Sequence, residues 1–150
     1  MPFIVSEAAT EQIIWSEGFS TGIAEVDDQH RVLLKLIDEV RVLVANQRHQ
    51  DPHLRLGPIL DQLNEYATSH FLTEETLLRQ YLAEDAGTDA HIQSHRNYLS
   101  TIAGHQKQMR HGQAQVCSDL YRFLRQWWIG HILTTDQEMR TALRPPAVAR

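Results

Sequence analysis

Four times along this chain, apolar side chains recur at steps of three and four, and each run is bounded by residues that break helices. A helix turns about 100° per residue, so such steps build one stripe that has to be buried. The second run constrains the fold most: Leu56, Ile59, Leu63, Tyr66, His70, Glu74, Leu77 and Tyr81. A histidine and a glutamate, one turn apart, interrupt a stripe that otherwise belongs in a core. At a surface they would be an ordinary hydrogen-bonding pair. In a core an unpartnered carboxylate is expensive, so other elements must supply what faces Glu74.

The other runs supply candidates. Residues 1–26 are too broken by Ser16, Gly18, Ser20, Thr21 and Gly22 for a long helix. Trp15, Phe19, Ile23 and Val26 are nevertheless spaced to pack, which predicts an ordered arm lying on the body. Asp27 reads as the N-cap of a first helix with the seam His30, Leu33, Ile37, Val40 and Val44. Residues 46–57 read as a loop, with His49 and His53 at the surface, and Gly57-Pro58 as the start of the second helix. That helix is expected to run to about Leu82. Thr88 then caps a third helix with the seam His91, His95, Tyr98, Ile102, His105 and Met109, where Gly104 marks a close helix contact. His105 lies about 15 Å along the axis from His91–His95 and is assigned to packing. His111-Gly112 ends this helix.

The fourth helix is expected from about Gln113 to Leu143, before Pro145-Pro146, with the seam Val116, Leu120, Phe123, Trp127 and His131. Asp136 follows His131 by five residues, which is about 140° away in a regular helix. Either Asp136 faces solvent, or both reach one centre because the side chain swings sideways or the turn widens, a π-type bulge near residues 131–136 being one way.

Four helices with short connections predict an all-α, up-down-up-down four-helix bundle with an ordered N-terminal arm. A chain of 150 residues suggests one domain over 1–150, the arm at 1–26 and the bundle at about 27–143. The net charge of -5 gives no reason to expect nucleic acid or anionic lipid as a partner. A single cysteine, no leader-like start and no long apolar run predict a cytoplasmic protein without a membrane segment. The helix order brings His30, His70, Glu74, His91, His95, His131 and Asp136 to one level of the bundle. Seven donors exceed one ion with an open position and suit two, the carboxylates bridging and the histidines terminal. Imidazoles with oxygen bridges favour iron, ahead of manganese or zinc and before calcium or magnesium.

The segments Trp15…Phe19…Gly22-Ile23…Asp27-Asp28-Gln29-His30, His70-Phe71…Glu74-Glu75…Leu77, His91…His95 and Trp127…His131-Ile132…Asp136 resemble the successive motifs of the hemerythrins, specifically the bacteriohemerythrins. The likeness spans about residues 15–140. Tyr81-Leu82-Ala83-Glu84 replaces the tyrosine-proline usual between the second and third helices, and Tyr98 stands where phenylalanine is frequent. The resemblance implies two iron ions per chain. One would be held by His91, His95 and His131 and the other by His30 and His70, with Glu74, Asp136 and an oxo or hydroxo group bridging.

The activity it implies is reversible dioxygen binding, for transport, storage or delivery to an oxygen-using partner protein. Leu33, Phe71, Trp127 and Ile132 adjoin ligands and are candidates to line a dry oxygen pocket. No extra acid–base pair adjoins the site, so no catalytic residue is expected and the chain is read as a binding protein rather than an enzyme. An oxygen or redox sensing module is the alternative. A di-iron oxidase, or an enzyme handling peroxide or nitric oxide, ranks third.

Overall fold

Burial of the four stripes organises the chain. A computed structural model describes residues 12–45, 52–81 and 86–137, with the side chains of 52–54, 81, 86 and 87 outside that description. A 3₁₀ turn at Glu17–Phe19 precedes α1 (Ala24–Ala45), α2 (Pro52–Tyr81), α3 (Ala86–Arg110) and α4 (Val116–Trp127); α4 continues as a π-helical segment, Trp128–Thr135. α1 packs against α2 and α4, and α3 packs against α2 and α4, the neighbour pattern of the expected up-down-up-down bundle. Leu33, Ile37 and Val40 meet Leu56, Leu60 and Leu63, Tyr98 and Ile102, and Val116, Leu120 and Leu124 in one core. Among the described residues no helix is long and apolar enough to cross a membrane.

The arm lies on this body. Trp15 meets Phe19 edge-on at 5.8 Å, and Phe19 meets Trp128 at 5.4 Å. The Gln137 amide donates to the Phe19 carbonyl at 3.0 Å, so the arm is tied to the end of the π segment. Residues 1–11 of the expected arm, and 138–143 of the expected fourth helix, lie outside the described residues.

Several helix boundaries differ from the sequence reading. α1 starts at Ala24, so Asp27 is not its N-cap. Asp27 sits in the first turn and reaches back, its Oδ1 accepting from the Thr21 N–H at 2.7 Å and the Thr21 hydroxyl at 2.8 Å, its Oδ2 from the Ser20 hydroxyl at 2.5 Å. Burial opposes the charge on Asp27, and these bonds outweigh it and hold the carboxyl below its usual range.

α2 starts at Pro52, well before Gly57-Pro58, and Pro58 lies inside it. A proline fits a first helical turn, and Pro52 occupies that place. Pro58 is tolerated in the interior because Leu56, Ile59 and Leu60 around it are buried. His53 is therefore on a helix rather than a loop; His49 lies outside the described residues. α3 starts at Ala86, which puts Thr88 in the first turn and not at the cap. Gly104 faces open space rather than a neighbouring helix. Gly112 does end α3: its φ is +67°, and the Gln113 N–H bonds the Gln108 carbonyl at 3.1 Å while the Gly112 N–H bonds the Met109 carbonyl at 3.0 Å. That pair of bonds is a Schellman cap.

From Trp128 onward the helix widens. The Asp136 N–H bonds the His131 carbonyl, five residues back. When bonds close five residues back instead of four, a five-residue spacing falls on one face. His131 and Asp136 therefore point the same way.

Candidate metal centre

Each helix sends donors to one level of the core: His30 from α1, His70 and Glu74 from α2, His91 and His95 from α3, His131 and Asp136 from the π segment and its end. All seven are buried, and both carboxylates are at 0% exposure, so neither takes its partner from bulk water. Glu74 Oε1 lies 2.5 Å from His70 Nε2 and 3.6 Å from His30 Nε2. Its Oε2 lies 2.8 Å from His91 Nε2 and 3.2 Å from His95 Nε2. Asp136 Oδ2 is 2.9 Å from His30 Nε2, and its Oδ1 is 3.1 Å from the Nε2 atoms of both His91 and His131. Each carboxylate thus turns one oxygen toward the side of His30 and His70 and the other toward the side of His91, His95 and His131: Glu74 reaches His30 and His70 with one and His91 and His95 with the other, Asp136 His30 with one and His91 and His131 with the other.

Bonds behind the ring decide which nitrogen faces inward. The Thr73 hydroxyl donates to the Ser69 carbonyl at 3.0 Å, so it accepts from the Gln29 amide nitrogen at 3.1 Å. That leaves Gln29 Oε1 facing His70 Nδ1 at 2.7 Å, and His70 donates there. In the trio, the Ser94 hydroxyl donates to the His91 carbonyl at 2.6 Å, so it accepts from His131 Nδ1 at 3.0 Å. Both rings keep their proton on Nδ1 and present Nε2 to the centre, as metal-ligating imidazoles do.

Aromatic faces close around the donors. Phe71 stacks on His95 at 3.9 Å and 6°, Trp127 on His131 at 4.0 Å and 10°, and Tyr66 on His70 at 5.0 Å and 16°. Trp128 stands edge-on to His30 at 6.1 Å. Leu33 and Ile132 are fully buried in the same core. Sequence reasoning missed Gln29, Ser94 and Trp128, and took Tyr66 for packing alone. Gln29 adjoins His30 and Ser94 lies between His91 and His95, which is a signal of proximity but not of direction. His105 is buried beside Phe123, its ring 5.9 Å away, and burial pushes its pKa down; it belongs to neither donor group.

Burial opposes a charge on His30 and on His91, but bonds to Asp136 and then Glu74 outweigh it and raise each to about 9. Burial and the Glu74 charge push Asp136 up, and His131 and His30 more than reverse this. Glu74 is held low against its burial by His70, His30 and His91. His95 goes the other way, pushed down to about 4 by burial that Glu74 only partly offsets. The imidazoles around them thus hold both carboxylates ionised against their burial.

These bonds still leave Glu74 Oε1, His95 Nε2, His131 Nε2 and both Asp136 oxygens buried without a well-directed hydrogen bond. Buried lone pairs converging in this way call for a cation. Metal bonds of about 2.1 Å set neighbouring ligands about 3.0 Å apart in an octahedron. Most of the separations here run from 2.8 to 3.2 Å. The donors form two groups that meet at Glu74: Glu74, His91, His95 and His131, and His30, His70, Glu74 and Asp136. They fit a pair of metal ions.

Residues 21–143 match the family of the hemerythrin HHE cation-binding domain. The chain belongs to the hemerythrin family. It is 29% identical over 119 residues to a bacteriohemerythrin of Methylococcus capsulatus, covering 79% of this chain and 86% of that one. A bacteriohemerythrin of Clostridium acetobutylicum is 26% identical over 126 residues, 83% of this chain and 96% of its own. A hemerythrin-like protein of Naegleria gruberi is 23% identical over 129 residues, 86% of this chain and 92% of its own. The cation-binding description of the hemerythrin family agrees with the two buried donor groups found here.

Proposed function

We propose that this hemerythrin domain binds dioxygen reversibly at two iron ions. His91, His95 and His131 hold one ion and His30 and His70 the other, while Glu74 and Asp136 bridge both, together with an oxo or hydroxo group. The observation that carries this reading is the unequal division of imidazoles between the two faces of the shared carboxylates. The side with two imidazoles would leave its ion more room for a gas ligand than the side with three. When bound, a ferrous pair supplies two electrons to dioxygen and takes them back on its release.

The residues of this chain serve that exchange in three ways. Glu74 and Asp136 hold the two halves at a fixed spacing. Gln29 and Ser94 keep the rings of His70 and His131 in the ligating tautomer. Phe71 and Trp127, stacked on His95 and His131, and the buried Leu33 and Ile132 keep water away from the centre, which favours release of the gas intact over its protonation. Only two carboxylates serve five neutral imidazoles, a donor set poorly suited to iron above the ferric state, whereas oxygen-activating bundles use four carboxylates. Binding is therefore favoured over oxygenation, and a carrier, store or deliverer of oxygen is the role that follows.

Absorption spectra of the iron-loaded chain test this. Dithionite followed by air should produce a visible band that disappears again when oxygen is removed. Uptake of fewer than two irons per chain, or a band that never reverses, would refute the reading.

A further inference from the structure

Tyr66 lies one turn before His70 on the buried stripe of α2, and its ring stacks on the His70 imidazole at 5.0 Å. Packing at that place needs a ring but not a hydroxyl. The Tyr66 hydroxyl is nevertheless buried, and it has no hydrogen-bond partner. Its neighbour Tyr98 differs, with a hydroxyl that reaches the Leu63 carbonyl at 3.5 Å. A buried hydroxyl without a partner destabilises the fold, so its retention points to a partner that arrives later.

The surroundings say where that partner sits. Tyr66 touches the half of the centre with fewer imidazoles. Its phenol is within electrostatic reach of both Glu74 and Asp136. The same ring lines a groove of about 400 Å³ between α1 and α2, together with Gln29, Val32, Leu36, Gln62, Ser69 and the carboxylate of Glu65. Tyr66 thus borders both the His70 imidazole and a path open to solvent.

We propose that the Tyr66 hydroxyl donates a hydrogen bond to a small electron-rich ligand, an anion or dioxygen, held in the His30–His70 half of the centre. This positioning role rests on the function proposed above. It makes Tyr66 a determinant of which small ligands stay bound, since acceptors gain from the phenol and non-acceptors do not.

The test uses the full chain loaded with iron and oxidised, with azide as the probe. Loss of a hydrogen bond to a charged ligand should weaken azide binding about tenfold or more in Tyr66→Phe. Tyr98→Phe should stay within about twofold, because its hydroxyl is engaged elsewhere. The metal-free proteins supply a second readout: Tyr66→Phe should unfold at the wild-type temperature or above it, having lost only an orphan hydroxyl. Normal iron content with unchanged azide affinity in Tyr66→Phe overturns this role alone. So does a lower unfolding temperature, which would assign the hydroxyl to the fold. A wild-type chain that takes up no iron pair overturns both this role and the function it rests on.

Discussion

Replacing Ser94 by alanine removes one oxygen that touches His91 and His131, and two distances set its consequences. The hydroxyl donates to the His91 carbonyl at 2.6 Å and accepts from His131 Nδ1 at 3.0 Å. Without it, the His131 ring is free to turn and to move its proton to Nε2, the atom that must stay bare to bind metal. Loss of such an outer bond lowers metal affinity about 10–100-fold, which is about 1.4–2.7 kcal/mol. The metal-free fold loses two neutral hydrogen bonds, about 2 kcal/mol together, or roughly 4–8 °C of melting temperature at this size.

The two donor groups share only Glu74, so the affinity loss should fall on one ion of the pair. Anaerobic titration of ferrous ion against a competing chelator resolves the two steps. In Ser94→Ala one step should weaken and the other stay within about twofold, and Ser94→Thr, which restores the hydroxyl, should recover most of the loss. Equal weakening of both steps, or no change in either, would show that the Ser94–His131 bond does not hold the ring for metal.

Two other outcomes follow from the same geometry. His30 and His91, raised to about 9, carry protons at pH 7.5 in the metal-free chain. Metal needs their neutral rings, so loading should release about two protons per chain from them, beyond at least one from water that becomes a bridging hydroxide, and apparent affinity should climb as pH rises toward 9; a titration in weak buffer measures this, and release near zero would refute the raised values of these two rings. The sign reverses for metal-free stability: the contribution of these two raised groups is fully present below about pH 6.5 and is lost as pH rises through 9, which melting curves across that window should record. Pro58→Ala restores an N–H in the interior of α2 and relieves the ring's clash with the carbonyl four residues back, so it should stabilise the chain by about 1–3 kcal/mol. A lower melting temperature for Pro58→Ala would mean that its value in restricting the unfolded chain dominates.

Much of the fold was legible because helical periodicity is a local property. The stripes through Leu33, Leu63, Ile102 and Leu120 name their buried faces from spacing alone, and all four are fully buried. Helix ends were less legible, since they depend on which side chain reaches which backbone group. Asp27 looks like a cap in sequence, and only the folded arm shows it reaching back to Ser20 and Thr21. Gly57-Pro58 looks like a boundary, yet burial of Leu56, Ile59 and Leu60 carries the helix through it.

The centre divides in the same way. Residue type and spacing by themselves determined that seven metal-capable donors sit on four amphipathic stripes, because a donor's chemistry and its place on a stripe are both written locally. The five-residue step from His131 to Asp136 even pointed to a widened turn, which the π segment supplies. Which oxygen of Glu74 faces which histidine, how Gln29 and Ser94 hold the rings, and that the Tyr66 hydroxyl is left over were decided by tertiary structure alone. Most of those features are directional contacts between residues on different helices, 41 positions apart for Gln29 and His70 and 37 for Ser94 and His131, or the lack of one, and direction across a core arises only when helices settle against one another.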